Sequence, residues 1–394
     1  MKDRAAEYLR DEQAGGLALL LAAAVALLWV NVGSASGYEA FWTTEVQIGV
    51  TEDLQHWVND GLMAVFFFLI SLEVKREIVR GELRHPKSAA LPILAALGGV
   101  VVPALVYLAL VADGEASRGW GIPMATDAAF AIGILAVLGD RVPVGAKLFL
   151  VTLAVVDDVV AICVIAVVYT SDLAPAWLAL AGVGLAVVWG LFRTDVIRPW
   201  VYVLPVLVVW VATLESGVHA TLAGVALALL IPARGMQGHD TMELLEDRLH
   251  PFSSFVILPA FALANAGIAL GGGALDDSDG RSVAVAVAVA LVVGKFVGVA
   301  GASLLALRFR IGRLPLGVDR RSLLGLAALA GIGFTVSLFI APLAFTEQAL
   351  LNGAKTGVLA ASVMAAIIGV AILAPGGRHP SRARVEMDAW DEKR

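Results

Sequence analysis

The stretch Val151 to Cys163 reads VTLAVVDDVVAIC, and it sets two adjacent carboxylates, Asp157 and Asp158, in a run otherwise suited to hydrocarbon. The nearest charges are Lys147 and Asp172, so the apolar segment Leu148 to Tyr169 is long enough to cross a ~30 Å membrane core as a helix. A carboxylate at that depth costs about 2.5–3.5 kcal/mol on insertion scales. The surrounding chain has the same character. Of its 394 residues, 59% are hydrophobic and 16% charged, whereas soluble domains are about 25% charged. This is the composition of a polytopic membrane protein, with lipid and not nucleic acid around it.

The 40 glycines are scattered through apolar runs without a short period, as close helix packing and helix breaks in a membrane require. The net charge of −6 says little about partners when charges sit in loops. The single cysteine, Cys163, excludes an internal disulfide and, without a His/Cys cluster, offers no zinc site. It reads as core packing. The N-terminal MKDRAAEYLRDEQ leads into an apolar run with no convincing cleavage site, which reads as a retained first helix.

A length of roughly 17–25 residues per helix gives spans at 15–32, 58–72, 89–111, 122–138, 148–169 and 176–192, then 200–214, 217–231, 252–270, 283–305, 323–345 and 355–373. That makes about twelve transmembrane helices in an all-α fold. The loops after spans two, four, six and ten are basic, and those between them are small or acidic. By the positive-inside rule both termini are cytoplasmic. The expected organisation is a cytoplasmic segment 1–14, a transmembrane domain 15–374 and a polar, disordered cytoplasmic tail 375–394. TTEVQIGV, Thr43 to Val50, reads equally as a short periplasmic hairpin or an ordinary loop.

Three places inside spans break the apolar rule: Asp157 with Asp158, Asp127 in ATDAAFAIG, and Lys295 in VVGKFVGVAG. Pairing that glues helices together accounts for Lys295 with one aspartate. It does not account for three carboxylates against one ammonium. The excess must be protonated, hydrated or bound to a cation, and an intramembrane ionisable group is a functional site by default. Successive helix positions point about 100° apart, so Asp157 and Asp158 cannot face each other as a dyad, though both can border one cavity. Desolvation and like-charge repulsion push such carboxyls toward proton release near neutral or alkaline pH. A carboxylate poised there holds either a proton or a hard cation such as Na⁺. Competition at one site opened to each side in turn is sufficient for exchange.

Two spans carry a second signal. GIPMATDAAF in span four and AALAGIGFTVSLF in span eleven interrupt apolar runs with Pro, Gly, Thr and Ser. Paired interruptions in the two halves of a chain point to a transporter's binding site, although Gly-rich packing without unwinding explains span eleven as well. If the breaks cross, two half-helix N-termini meet and so do two C-termini, each end carrying roughly half a charge. An acid suits the first meeting and a base the second, and Asp127 and Lys295 are the candidates.

LEVKRE (Leu72 to Glu77), ATDAAFA (Ala125 to Ala131), VDDVVAI (Val156 to Ile162), SGVHATLAGV (Ser216 to Val225), LPAFALANAG (Leu258 to Gly267), GKFVG (Gly294 to Gly298) and GIGFTVSLFIA (Gly331 to Ala341) together closely resemble the NhaA family of bacterial sodium/proton antiporters. The resemblance runs from the first span to the last. It implies inverted-topology repeats with two crossed discontinuous helices, for which this family is itself a type example. It also implies that Asp157 and Asp158 carry Na⁺ and protons, with Asp158 the direct ligand, and that Lys295 pairs with Asp157. Asp127 would offset the crossed half-helices, and Thr126, Gly331, Gly333 and Thr335 would line the site. Electrogenic exchange in the inner membrane for pH and sodium homeostasis is implied, with Li⁺ as an alternative substrate, no cofactor, alkaline activation and a homodimer. Glu73, Arg76, Glu77, Glu246, His250 and His219 match positions that set the family's pH response.

The chain departs from the family at three places. HDTMELLEDRLHP before span nine is richer in acids, Phe296 follows the lysine where a proline is familiar, and TTEVQIGV looks shorter than the hairpin used for dimer contact. Two other classes fit less well. An intramembrane aspartyl protease needs acids on separate helices, and a proton-coupled carrier of an organic solute needs aromatic or amide recognition groups, of which the core spans offer few.

Overall fold

The computed structural model describes residues 2–375 apart from 49, 85, 112–113, 171–172, 197, 234–239, 270–276 and 316. The expected disordered tail therefore lies, from residue 376 on, outside the described residues. Six helices are long and apolar enough to cross a membrane unaided: α1 (Ala14–Gly33), α3 (Ala89–Leu110), α5 (Val144–Val168), α6 (Pro175–Arg193), α10 (Ser278–Arg308) and α12 (Gln348–Leu373). Two more spans are broken. In α4, Glu115–Met124 and Ala128–Leu138 meet at 42°, and in α11, Arg320–Leu329 and Phe334–Ala344 meet at 40°. The shorter helices α7 (Trp200–Leu214) and α8 (Thr221–Leu230), with α2 (Met63–Val79) and α9 (241–265), bring the described spans to the twelve expected.

The sequence boundaries shift where polar residues stay helical. α1 extends backward to Lys2, so the N-terminal segment continues the first span as one helix. α2 runs on through Lys75 and Arg76 to Val79, and α9 begins with an amphipathic extension, Thr241–Phe252, ahead of its apolar part. α12 starts at Gln348, seven residues before the expected edge at Lys355. That lysine is buried two turns inside the helix. Cys163 also departs from expectation. It faces outward from α5, where a thiol is apolar enough for lipid, and takes no part in the core.

TTEVQIGV does form a hairpin. Strands β1 (Glu45–Ile48) and β2 (Val50–Asp53) pair antiparallel with Glu45 opposite Asp53, and Trp57 Nε1 donates to Val46 O at 3.1 Å to tie the hairpin to the start of α2. The core is formed by two triplets of the same pattern, straight, broken, straight: α3, α4, α5 and α10, α11, α12. An even number of crossings, α4 to α9, lies between α3 and α10, so the triplets run in opposite directions.

The triplets interlock through α3 and α10. Gly98 and Gly298 face each other so closely that a methyl group on either would lie 2.4 or 2.1 Å from the other's carbonyl oxygen. Only glycine permits that approach. It presses the stem of Lys295 past Gly99 toward the break in α4, just after a wide π-type turn at Ala290–Gly294.

Candidate ion-binding site

The two breaks cross at the level of Asp157. Pro123 has no N–H and Ala125 is extended, so the first half of α4 stops at Met124. Asp127 then starts the second half as its N-cap. In α11 the break falls at residues 330–333, where a side chain on Gly331 would lie 2.6 Å from Leu291 O and one on Gly333 would meet Ser337 Oγ. The helix stops at Leu329 and restarts at Phe334 with a 40° bend, so the span is broken and not merely glycine-packed. The unwound segments are joined by Asp127 N donating to Ile332 O at 2.6 Å, which satisfies backbone groups that lipid could not.

Asp127 serves both half-helix N-termini. Its Oδ1 accepts from Phe130 N at 2.9 Å in α4 and its Oδ2 from Thr335 N at 3.0 Å in α11. At the opposite ends, carbonyls left over by the breaks find side-chain donors. Lys295 Nζ donates to Met124 O, Ser337 Oγ donates to Ile122 O at 2.6 Å, and Thr126 Oγ1 lies 3.0 Å from Ala330 O. Lys295 Nζ also reaches Asp157 Oδ2 at 2.7 Å, and Thr126 Oγ1 lies 2.7 Å from that same oxygen. Lys295 and Asp157 are completely or almost completely shielded.

Asp157 and Asp158 therefore part company. Asp157 turns to Lys295 and Thr126, while Asp158, one position on, lines a cavity of about 80 Å³ together with Asp127, Thr126 and Thr335. The expectation that both acids border one cavity is met by Asp158 alone. Gly331 and Gly333 do not line it either; they let the crossing close. The cavity extends to Glu73 on α2 and to His250, Ser253 and Ser254 on α9.

Next to it, Arg76 pairs with Glu246, which is buried on the polar extension of α9. Burial pushes the Glu246 carboxyl up to about 7, Arg76 pulls against that, and Glu73, Asp247 and Glu243 add to the rise. Glu77 lies one residue after Arg76, beneath Gly81. Lys75 Nζ donates to Leu229 O at 2.6 Å and to Ile231 O at 2.5 Å, closing the end of α8. Five of the six residues matched to pH response thus gather at this end. His219 does not. It lies at the other end of α8, its Nε2 3.5 Å from Asp60 Oδ1 and its ring edge-on to Phe339 at 5.1 Å. Phe339 packs against Phe67 and Phe261 and closes the protein on that side of the site.

The sequence reading did not single out the Met124 carbonyl, Asp60 or the depth of Lys355. Ser337 it placed only within a Gly-rich string. A backbone oxygen has no signature in a sequence, whereas Asp60 was readable as a charge just inside span two.

A crossed pair of broken helices, a buried Asp–Lys pair and an adjacent acid on a polar cavity make a recognisable combination. A sequence profile described as Na+/H+ antiporter 1 matches residues 6–373. The chain belongs to this family. It is 45% identical to Na(+)/H(+) antiporter NhaA 1 of Erythrobacter litoralis over 94% of this chain and 92% of that one. Similar relatives are NhaA of Shigella dysenteriae, 44% identical over 92% of this chain and 95% of that one, and NhaA of Acidovorax sp., 47% identical over 91% and 89%. Na⁺/H⁺ antiporters of this family are multi-pass inner-membrane secondary transporters and not enzymes. Their ions move without a cofactor.

Proposed function

We propose that the chain expels Na⁺, with Li⁺ as an alternative substrate, in exchange for a larger number of protons, by alternating access at Asp157 and Asp158. The observation that carries this reading is the position of Asp158. Of the three intramembrane aspartates, Asp127 is engaged by two half-helix N-termini and Asp157 by Lys295 and Thr126, which leaves Asp158 to face the cavity. It needs a proton or a hard cation with oxygen ligands, and neither can stay while the other binds. The charge count supports electrogenic exchange. The two N-termini offset Asp127, and the two C-termini offset Lys295, at roughly half a charge per end. Asp157 and Asp158 then leave roughly two negative charges, enough for two protons but only half neutralised by one Na⁺.

The basic loops after even spans support cytoplasmic termini and a cavity that faces the cytoplasm. Glu246, with Arg76, Glu73 and His250 beside it, is placed to sense cytoplasmic pH, since it changes charge near neutrality. The family resemblance supports a homodimer, and the hairpin of β1 and β2 has outer edges to which a second copy can add strands.

In everted vesicles holding a proton gradient, added Na⁺ or Li⁺ should discharge the gradient, and Asp158→Asn should stop the discharge while the protein still folds. Equal discharge by K⁺ or by a sugar, or full activity in Asp158→Asn, would overturn the reading.

A further inference from the structure

The site is served by a cavity on one side and closed on the other by Phe67, Phe261 and Phe339. Exchange requires protons to reach it from the closed, hairpin side as well. A run of titratable groups leads there from the surface. His56 is exposed, with 59% of its side chain accessible, and its Nδ1 lies 2.8 Å from Asp53 Oδ1 at the end of β2. Asp60 follows one turn along the same helical stretch, mostly covered at 19%, and His219 stands 3.5 Å beyond it at 13%.

The ring orientation fits a path. His219 Nδ1 lies 2.8 Å from Thr221 Oγ1, and giving its hydrogen to that hydroxyl leaves the Nε2 lone pair of the neutral ring facing Asp60, ready to accept a proton. The same ring touches Phe339, which in turn packs against the other two phenylalanines. The charged groups that act on His56 are Asp53, Asp60 and Glu52. Burial alone would lower the imidazole's proton affinity, but these acids outweigh it and raise it.

We propose that Asp53 and His56 form a proton-collecting entrance on the hairpin face, passing protons through Asp60 to His219 above the phenylalanine closure. This rests on the proton-exchange reading above. A proton is captured on the Asp53 carboxylate or the His56 ring, moves to the Asp60 carboxylate, and then converts His219 to imidazolium. Each hand-over moves one proton and returns the donor to its starting state. When this face opens, His219 is the donor nearest the site.

The need for such an entrance is kinetic. With a capture constant of about 10¹⁰ M⁻¹ s⁻¹, near the diffusion limit, one buried acceptor at pH 8.5 would collect only about 30 protons per second. A surface cluster of acids with an imidazole widens the target, and a local negative field raises capture rates by about 10-fold or more. Asp53 also caps the short turn that begins at Leu54, accepting from His56 N at 2.7 Å, and this structural role must be separated from the proposed one. Asparagine caps as well as aspartate, so Asp53→Asn keeps the cap and removes the charge.

The test uses full-length protein in proteoliposomes with dilute buffer, comparing wild type, Asp53→Asn, His56→Gln and the double variant for Na⁺-driven proton flux at pH 7 and pH 8.5. The expected result is a loss of about threefold or more at pH 8.5 only, restored by imidazole added on the hairpin face. Equal loss at both pH values, no rescue by imidazole, or no loss at all would overturn the entrance. Absence of Na⁺-dependent flux in the wild type would instead overturn the exchange reading on which it stands.

Discussion

Asp127 holds two helix ends with one carboxylate, and replacing it tests the crossed-helix account directly. Its two oxygens accept from Phe130 N and Thr335 N at 2.9 and 3.0 Å, in a setting where Asp127 is 2% exposed. A buried donor left without a partner costs about 1–3 kcal/mol. Alanine strands both donors, which gives about 4 kcal/mol before any loss of charge–dipole attraction. Asparagine keeps one acceptor oxygen, strands the other donor and loses the charge, so about 2 kcal/mol is expected. The assay is a melt of detergent-solubilised protein at one fixed scan rate, followed by tryptophan fluorescence, because unfolding of such proteins is a kinetic quantity. The order should be wild type, then Asp127→Asn, then Asp127→Ala, with clear steps between them. If Asp127→Asn melts with the wild type, or Asp127→Ala melts with Asp127→Asn, the carboxylate is not holding both ends and the reasoning fails.

Three further substitutions probe other parts of the arrangement. The proton affinity of Glu246 is raised from 4.5 to about 7 in the folded chain, so folding binds a proton between those values and stability falls as pH rises across that window. Glu246→Gln should remove this fall, worth about 3 kcal/mol at 1.36 kcal/mol per unit, and flatten the pH dependence of transport near neutrality; melts from pH 4.5 to 8 that parallel the wild type would contradict it. Lys295→Met leaves Asp157 with Thr126 but without its cation, at a cost of about 3–5 kcal/mol; adding Asp157→Leu should return part of that stability, and a double variant no more stable than Lys295→Met would show that the pair is not coupled. Gly298→Ala drives a methyl group to 2.1 Å from Gly98 O and should lower the melting point through about 1–3 kcal/mol of overpacking. Gly301→Ala, in the same helix with nothing within 4 Å, should be neutral or slightly stabilising and serves as the control.

The spans were legible because lipid imposes one rule on twenty consecutive residues, and the runs in this chain obey it almost everywhere. Boundaries failed where the rule has exceptions. Lys355 looked like the edge of a span because an ammonium belongs in water, yet it lies buried within α12. Cys163 looked like core because thiols pack well, yet lipid accepts them too. The broken helices were suggested by Pro123, Gly331 and Gly333, but the sequence could not say that α4 and α11 meet, since each hydrogen bond described between them ends on a main-chain atom, as Asp127 N to Ile332 O does at both ends. The division of labour between Asp157 and Asp158 was half legible. Helix geometry separated them by about 100°, and only the fold assigned Lys295 to one and the cavity to the other. The distance of His219 from the other residues matched to pH response was hidden for the same reason: membership in a motif says nothing about which end of a helix a residue occupies.

The hydroxyl of Thr126 stands between two oxygens, Asp157 Oδ2 at 2.7 Å and Ala330 O at 3.0 Å, and has one hydrogen to give. One shared hydrogen thus ties Asp157 on α5 to the carbonyl that ends the first half of α11. Through that hydroxyl, a change of charge on a carboxylate of one helix triplet is felt one bond away at a helix end of the other.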